Sequence, residues 1–293
     1  MVQESTAEIF VPAGATLGEG PAWDAAAGCL AWVDILEQRV HLTEPDGSAR
    51  ASFEFDSHIG AVLPGAPEYL VVRRDGFATL DPATGAVKEL LSVLGDRPDM
   101  RFNDAKAGPG GRVFAGTMRY DEGRDEARLF RLDPGPVATV VHGPVSLSNG
   151  LGWSPDNRTF YFCESFRYAI FVYDFDPDAG VPSARRMFAT VDHGSGGFPD
   201  GLTVDAEGGV WSAQNGAGRV VRYAPDGEVT HEVEVPVPQP TSCMFGGPDL
   251  DVLYITTSRQ NMTPQQLGRY PLSGSVFALR PGLSGLPEPL FAG

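Results

Sequence analysis

Apolar residues along this chain gather into short runs of strand length, and the runs recur with a long period. The densest read Leu30-Ala31-Trp32-Val33, Tyr69-Leu70-Val71-Val72, Arg112-Val113-Phe114-Ala115, Thr159-Phe160-Tyr161-Phe162, Gly209-Val210-Trp211-Ser212 and Val252-Leu253-Tyr254-Ile255. Their β-branched and aromatic content predicts strands. Each is preceded by a weaker run, starting at Glu19-Gly20-Pro21, Ile59-Gly60-Ala61, Asn103-Asp104-Ala105, Asn149-Gly150-Leu151, Asp200-Gly201-Leu202 and Thr241-Ser242-Cys243. Third runs follow, such as Arg39-Val40-His41-Leu42, Ile170-Phe171-Val172-Tyr173 and Val220-Val221-Arg222-Tyr223. Turn sequences built on Pro, Asp and Gly come next, as at Pro45-Asp46-Gly47 and Pro225-Asp226-Gly227. The unit is therefore four strands repeated every 40 to 51 residues, the length of one propeller blade.

Six such units fill the chain from Glu19 onward, which predicts an all-β fold: one six-bladed β-propeller with four-stranded blades, spanning residues 1–293 as a single domain. A β-sandwich or two smaller β domains would leave the period unexplained. One short helix is expected at Thr263-Pro264-Gln265-Gln266-Leu267, with Thr as cap and Pro at the first helical position. Ile9-Phe10-Val11 precedes the first unit and is expected to add a strand to the last blade, near Leu290-Phe291, closing the ring and removing an edge.

Composition agrees with many tight turns: the chain has 36 Gly and 25 Pro. A net charge of −16 argues against nucleic acid and anionic membrane as partners. Cys29, Cys163 and Cys243 are too few and too scattered for a disulfide framework or a Cys-rich zinc site, and read as buried small apolar residues. The first ten residues contain no Lys or Arg and do not resemble a signal peptide, and no apolar run is long enough to span a membrane. A cytoplasmic protein is expected. A closed ring has no free edge, so the expected state is a monomer or weak homodimer.

The first strand of each blade lines a propeller's central channel, and the residue opening it sits near one mouth. The six equivalent positions are Glu19, Ile59, Asn103, Asn149, Asp200 and Thr241, and five of them bring oxygen. Singly, Asn149-Gly150 and Asp200-Gly201 are turn dipeptides and Glu19 a loop acid. Together they converge on an axis, where carboxylates repel one another unless a cation or proton neutralises them. One divalent metal ion is the simplest answer. All-oxygen donors favour Ca²⁺, then Mg²⁺ or Mn²⁺. No His stands on the ring, so a nitrogen-rich zinc site is not indicated. The His residues read as structural or surface groups, though His58 and His193 lie shortly before ring positions and within reach of the mouth.

The segments Leu17-Gly18-Glu19-Gly20-Pro21, Arg101-Phe102-Asn103-Asp104, Gly116-Thr117-Met118, Ser148-Asn149-Gly150-Leu151, Pro199-Asp200-Gly201-Leu202 and Thr241-Ser242-Cys243-Met244-Phe245-Gly246-Gly247 occur in this order along nearly the whole chain. In this they resemble the gluconolactonase / regucalcin (senescence-marker-protein) family. The resemblance implies a metal held by Glu19, Asn149 and Asp200, and substrate contacts from Arg101 and Asn103. A Glu that binds sugar hydroxyls in some members falls at Asp121, one methylene shorter. Members differ in metal, so Fe and Zn stay open beside Ca, Mg and Mn. The implied reaction is hydrolysis of a sugar lactone, of the gluconolactone, xylonolactone or arabinonolactone type, to the aldonic acid. The metal would polarise the carbonyl, and Asp200 would act as general base, with a metal-activated hydroxide as the competing base. No Gly-x-Ser-x-Gly elbow is present, which weakens a serine-esterase mechanism.

Two other readings use the same ring. One is a calcium-binding regulatory propeller without turnover. The other is a metal-dependent esterase or phosphotriesterase, which would line the mouth with aromatics such as Phe166, Tyr168 and Phe198. Residues 119–127 and 192–199 are Gly- and charge-rich and are expected to form loops over the mouth that set substrate choice.

Overall fold

The computed structural model describes residues 2–292. It is a six-bladed β-propeller: six separate sheets, five of four strands and one of five. The inner strands are Gly18–Asp24, Ile59–Leu63, Met100–Gly108, Ser148–Trp153, Phe198–Val204 and Pro240–Gly246. They define blades 1 to 6. Each begins at or just before the expected repeat, and in blades 1 to 4 the strands pair antiparallel in sequence order.

The second strands are buried along both faces, because each blade is packed between two neighbours. Cys29–Asp34 is buried at every position. Phe102, Phe114, Phe160 and Phe162 interlock blades 3 and 4, whereas Trp211, Phe245, Ile255 and Phe277 interlock blades 5 and 6. Such face-to-face packing of twisted sheets supplies the main apolar burial. The three cysteines are free and buried within it.

Closure differs from expectation in one detail. Glu8–Val11 does join the last blade, but it pairs with Val276–Leu279, with Ile9 opposite Phe277. The segment after residue 280 instead runs across the far end of the channel. There the Gly285 N–H donates to the Leu250 carbonyl at 2.8 Å, and the Ala292 N–H to Gly111 at 3.1 Å. Phe291 packs against the core of blades 2 to 4. A second N-terminal strand, Gln3–Thr6, adds in parallel to Val229–Glu234 and makes blade 5 five-stranded. Pro264–Arg269 is the expected helix, with Thr263 and Gln266 forming a full capping box. No helix among the described residues is long and apolar enough to cross a membrane.

Candidate functional site

Every inner strand breaks register at its ring position. The breaks fall between Glu19 and Ala22, Ile59 and Ala61, Phe102 and Ala105, Ser148 and Leu151, Pro199 and Leu202, and Pro240 and Ser242. In each, the inner strand carries one more residue than its partner. A bulge of this kind interrupts the pleat and re-aims a side chain. The Asn-Gly and Asp-Gly pairs are therefore bulges within strands and not turns. Their glycines allow close approach of neighbouring blades: a Cβ on Gly150 would lie 2.6 Å from the Asp200 carbonyl oxygen.

The bulges gather four of the predicted polar side chains and Arg101. Glu19 is 7 % exposed, Arg101 6 %, Asn103 8 %, Asn149 3 % and Asp200 4 %. The Asn149 side-chain amide donates to the Ser165 hydroxyl at 3.1 Å and to Asp200 Oδ1. Asp200 Oδ2 accepts from Asn215 Nδ2 at 2.9 Å. Glu19 accepts the Gly20 N–H at 3.0 Å. Asn103 Nδ2 donates to the Ser148 carbonyl at 3.0 Å, and Arg101 Nη1 to the Phe102 carbonyl at 3.0 Å. Thr241 is on the ring in sequence but serves the scaffold: its hydroxyl donates to the Gly18 carbonyl at 2.5 Å and joins blade 6 to blade 1.

Electrostatics single out the carboxylates. Burial raises Glu19 well above the ordinary range, and repulsion from Asp200 and Asp104 adds to it. Burial likewise pushes Asp200 up to about 7; Asp104 raises it further, while the amides of Asn215 and Asn149 pull it down. Asp104, one residue deeper, is pushed up to about 6 by burial, against the lowering effect of Lys106. Lys106 Nζ reaches across the channel to the Leu202 carbonyl at 3.3 Å. Glu288 of the C-terminal segment lines the same channel with Asp104 and Lys106. Among the described residues no three His, Cys, Asp or Glu side chains converge as a metal cluster. The set that Glu19, Asn149 and Asp200 offer is two carboxylates and one amide oxygen. Two acids raised above their ordinary range by burial and by neighbouring carboxylates match a hard divalent cation.

Asp121 is placed elsewhere. It lies on the rim beyond the strand Arg112–Arg119, its side chain 62 % exposed. Arg119 holds both its oxygens at 2.7 Å, and this bidentate pair draws the carboxylate well below its usual range. The antiparallel pairing of Met100 with Arg119 puts residues 120–126 at the mouth end of blade 3, as expected of that loop. Two of the aromatics that an ester pocket would use already have partners. Tyr168 stacks on His193 at 3.6 Å between centroids, and Phe166 lies 5.5 Å from the Arg124 guanidinium. The ring alone did not reveal Asn215, Ser165 or Asp104. Asp104 sits inside the quoted Arg101–Asp104 motif, and its adjacency to Asn103 was the available signal.

Comparison with known proteins agrees with this architecture. The chain is 38 % identical to 6-deoxy-6-sulfogluconolactonase of Pseudomonas putida, over 98 % of this chain and 99 % of that one. It is 34 % identical to regucalcin of Xenopus laevis, over 94 % and 95 %. A solved calcium-binding protein, regucalcin, of Agrobacterium tumefaciens superposes with a TM-score of 0.94 at 28 % identity, covering 100 % of this chain and 99 % of that one. Residues 17–259 match the model of the SMP-30/gluconolactonase/LRE-like region, and the chain belongs to that family.

Proposed function

We propose that this protein hydrolyses a sugar lactone to its aldonic acid at the mouth of the channel, using one divalent cation seated by Glu19, Asn149 and Asp200. The observation that carries the reading is the grouping of two buried carboxylates, each raised by burial and by a neighbouring acid, with an amide and with Arg101 at the channel mouth. Family membership and the names of the lactone-hydrolysing relatives support the same chemistry. Calcium fits the all-oxygen set best and matches the calcium-binding relative.

When bound, the cation supplies Lewis-acid polarisation of the lactone carbonyl. The chain's own residues do the rest. Asp200 is fixed in orientation by amide donors on both oxygens, which suits it to receive a proton from a water held beside it. It takes a proton from the attacking water and returns it to the ring oxygen as the carbonyl–oxygen bond breaks, so water and lactone become hydroxy acid. Arg101 neutralises the carboxylate that forms. Asn103 has committed its Nδ2 to Ser148, which leaves its carbonyl oxygen to accept a sugar hydroxyl. Asp121 contacts hydroxyls from the rim, with its charge shared with Arg119.

The test is hydrolysis of gluconolactone, xylonolactone and arabinonolactone by chelator-stripped protein, with and without added Ca²⁺, Mg²⁺, Mn²⁺, Fe²⁺ or Zn²⁺. Acid release is followed above the spontaneous rate. Metal-dependent turnover of at least one lactone is expected. Folded protein that binds a metal and turns over none of them would contradict the reading and leave a cation-binding propeller.

A further inference from the structure

Blade 2 gives the ring its one apolar side chain, Ile59, which is fully buried. The mouth beside it is basic. Arg74 follows the strand Tyr69–Arg73. Its N–H donates to the His58 carbonyl at 2.8 Å, and its own carbonyl accepts the Phe102 N–H at 2.9 Å. These bonds tie Arg74 to the residue between Arg101 and Asn103. Asp75 takes Nη2 of Arg74 at 2.9 Å, but Nη1 is buried and has no partner among the described residues. A buried guanidinium N–H left unmet is costly, and such groups call for an explanation.

His58 Nδ1 and the Tyr120 hydroxyl are 2.8 Å apart, with ring centroids at 5.6 Å. That contact engages Nδ1 and not Nε2 of His58. Arg101 bears on both groups: it acts on Glu19 and Asp200 to one side, and on His58 and Tyr120 to the other. Arg101 and Arg74 also press on His58, adding to the lowering that burial causes. Asp75 is the acid that acts on Tyr120. Two guanidinium groups, an imidazole and a phenol thus share one side of the mouth, on a chain of net charge −16. Planar guanidinium forks with open donors match oxyanions.

We propose that Arg74, His58 and Tyr120 form a subsite for an anionic substituent at the end of the substrate remote from the lactone carbonyl. The preferred lactone then carries a phosphate, sulfonate or carboxylate on its terminal carbon. As a statement about substrate this rests on the lactonase reading; as a statement about anion binding it does not.

Two measurements separate these. The first compares kcat/KM for 6-phosphogluconolactone and gluconolactone in metal-loaded wild type, Arg74→Gln and Arg74→Lys, with spontaneous hydrolysis subtracted. The second titrates 6-phosphogluconate and gluconate into the same proteins by calorimetry. Wild type is expected to favour the anionic lactone by about tenfold or more, the scale of a hydrogen bond to a charged group. Arg74→Gln should reduce that ratio about tenfold through KM, with Arg74→Lys recovering part of it. Binding of 6-phosphogluconate should weaken in parallel. Lactones bearing a 6-sulfonate or a terminal carboxylate, run beside the phosphate, identify the favoured anion. Equal ratios in wild type and Arg74→Gln, or equal binding of gluconate and 6-phosphogluconate by wild type, would overturn the proposal. Arg74-dependent binding of 6-phosphogluconate without turnover of either lactone would sink the lactonase reading and leave the anion site standing.

Discussion

Asp200 and Asp205 lie five residues apart, at opposite ends of one inner strand of blade 5, and both are buried. Asp205 is surrounded by donors. It accepts Trp211 Nε1 at 2.7 Å, Arg222 Nε at 2.6 Å, and the N–H groups of Glu207 and Gly209, each at 2.9 Å. Asp200 has two neutral amides and faces Glu19 and Asp104. The scaffold can satisfy a buried carboxylate completely and does so at the far end of the strand. At the mouth it leaves one partly neutralised and places a second beside it. Full satisfaction marks a structural node, and incomplete satisfaction in a ring marks the reactive end.

Opposite outcomes on substitution would bear this out. Asp200→Ala is expected to lower kcat/KM by about a thousandfold or more, since it removes both a proposed metal donor and the base. Its unfolding temperature should equal or exceed that of metal-free wild type, because a repelling buried acid is gone. Asp205→Asn should do the reverse. Leaving Arg222 buried and partly unpaired should cost about 3–5 kcal/mol of stability by denaturant unfolding, with kcat retained in the folded fraction. Activity in Asp200→Ala, or a stability loss there matching that of Asp205→Asn, would erase the distinction.

A pH series sharpens it. Asp200 ionises near 3.8 when unfolded and at about 7 when folded and metal-free. The folded state therefore holds the extra proton across that window, and stability falls as pH rises through it. The slope from this one group is at most about 1.4 kcal/mol per pH unit. Asp200→Asn in chelator should flatten the fall between about pH 4 and 7 relative to wild type. Parallel slopes for the two proteins would contradict the raised ionisation. The smallest effect is expected at the rim. Asp121→Asn should lower kcat/KM only about threefold, the worth of one shared hydrogen bond; a loss as large as that of Asp200→Ala would move Asp121 into the centre of the site.

The propeller was legible because its period is written in turn triplets and in the dense second runs, whose burial on both faces favours apolar residues at most positions. The ring positions were legible for the same reason: a repeat makes equivalent positions comparable, and five of the six carried oxygen, while the choice of Glu19, Asn149 and Asp200 among them came from the family resemblance. Other features had no such signal. Gln3–Thr6 is polar and exposed, and pairs through backbone alone. A bulge leaves no compositional trace, so Asn149-Gly150 reads equally well as a turn. Thr241 matches the ring in sequence, yet its hydroxyl bridges two blades. Arg74, His58 and Tyr120 are scattered along the chain and are brought together by the backbone bonds between blades 2 and 3. Asp121 sat at the right place in the order of motifs, but its bidentate hold by Arg119 depends on how the rim folds.

In the proposed mechanism Glu19, Asn149 and Asp200 seat one divalent cation on which catalysis depends. The most direct measurement adds Ca²⁺ stepwise to chelator-stripped protein, recording bound ion and lactone hydrolysis in the same samples. The expected result is activity that rises in proportion to bound ion and saturates at one ion per chain, with Asp200→Asn folded, weakly binding and inert. Full hydrolysis by the stripped protein, or ion binding and turnover unchanged in Asp200→Asn, would contradict it.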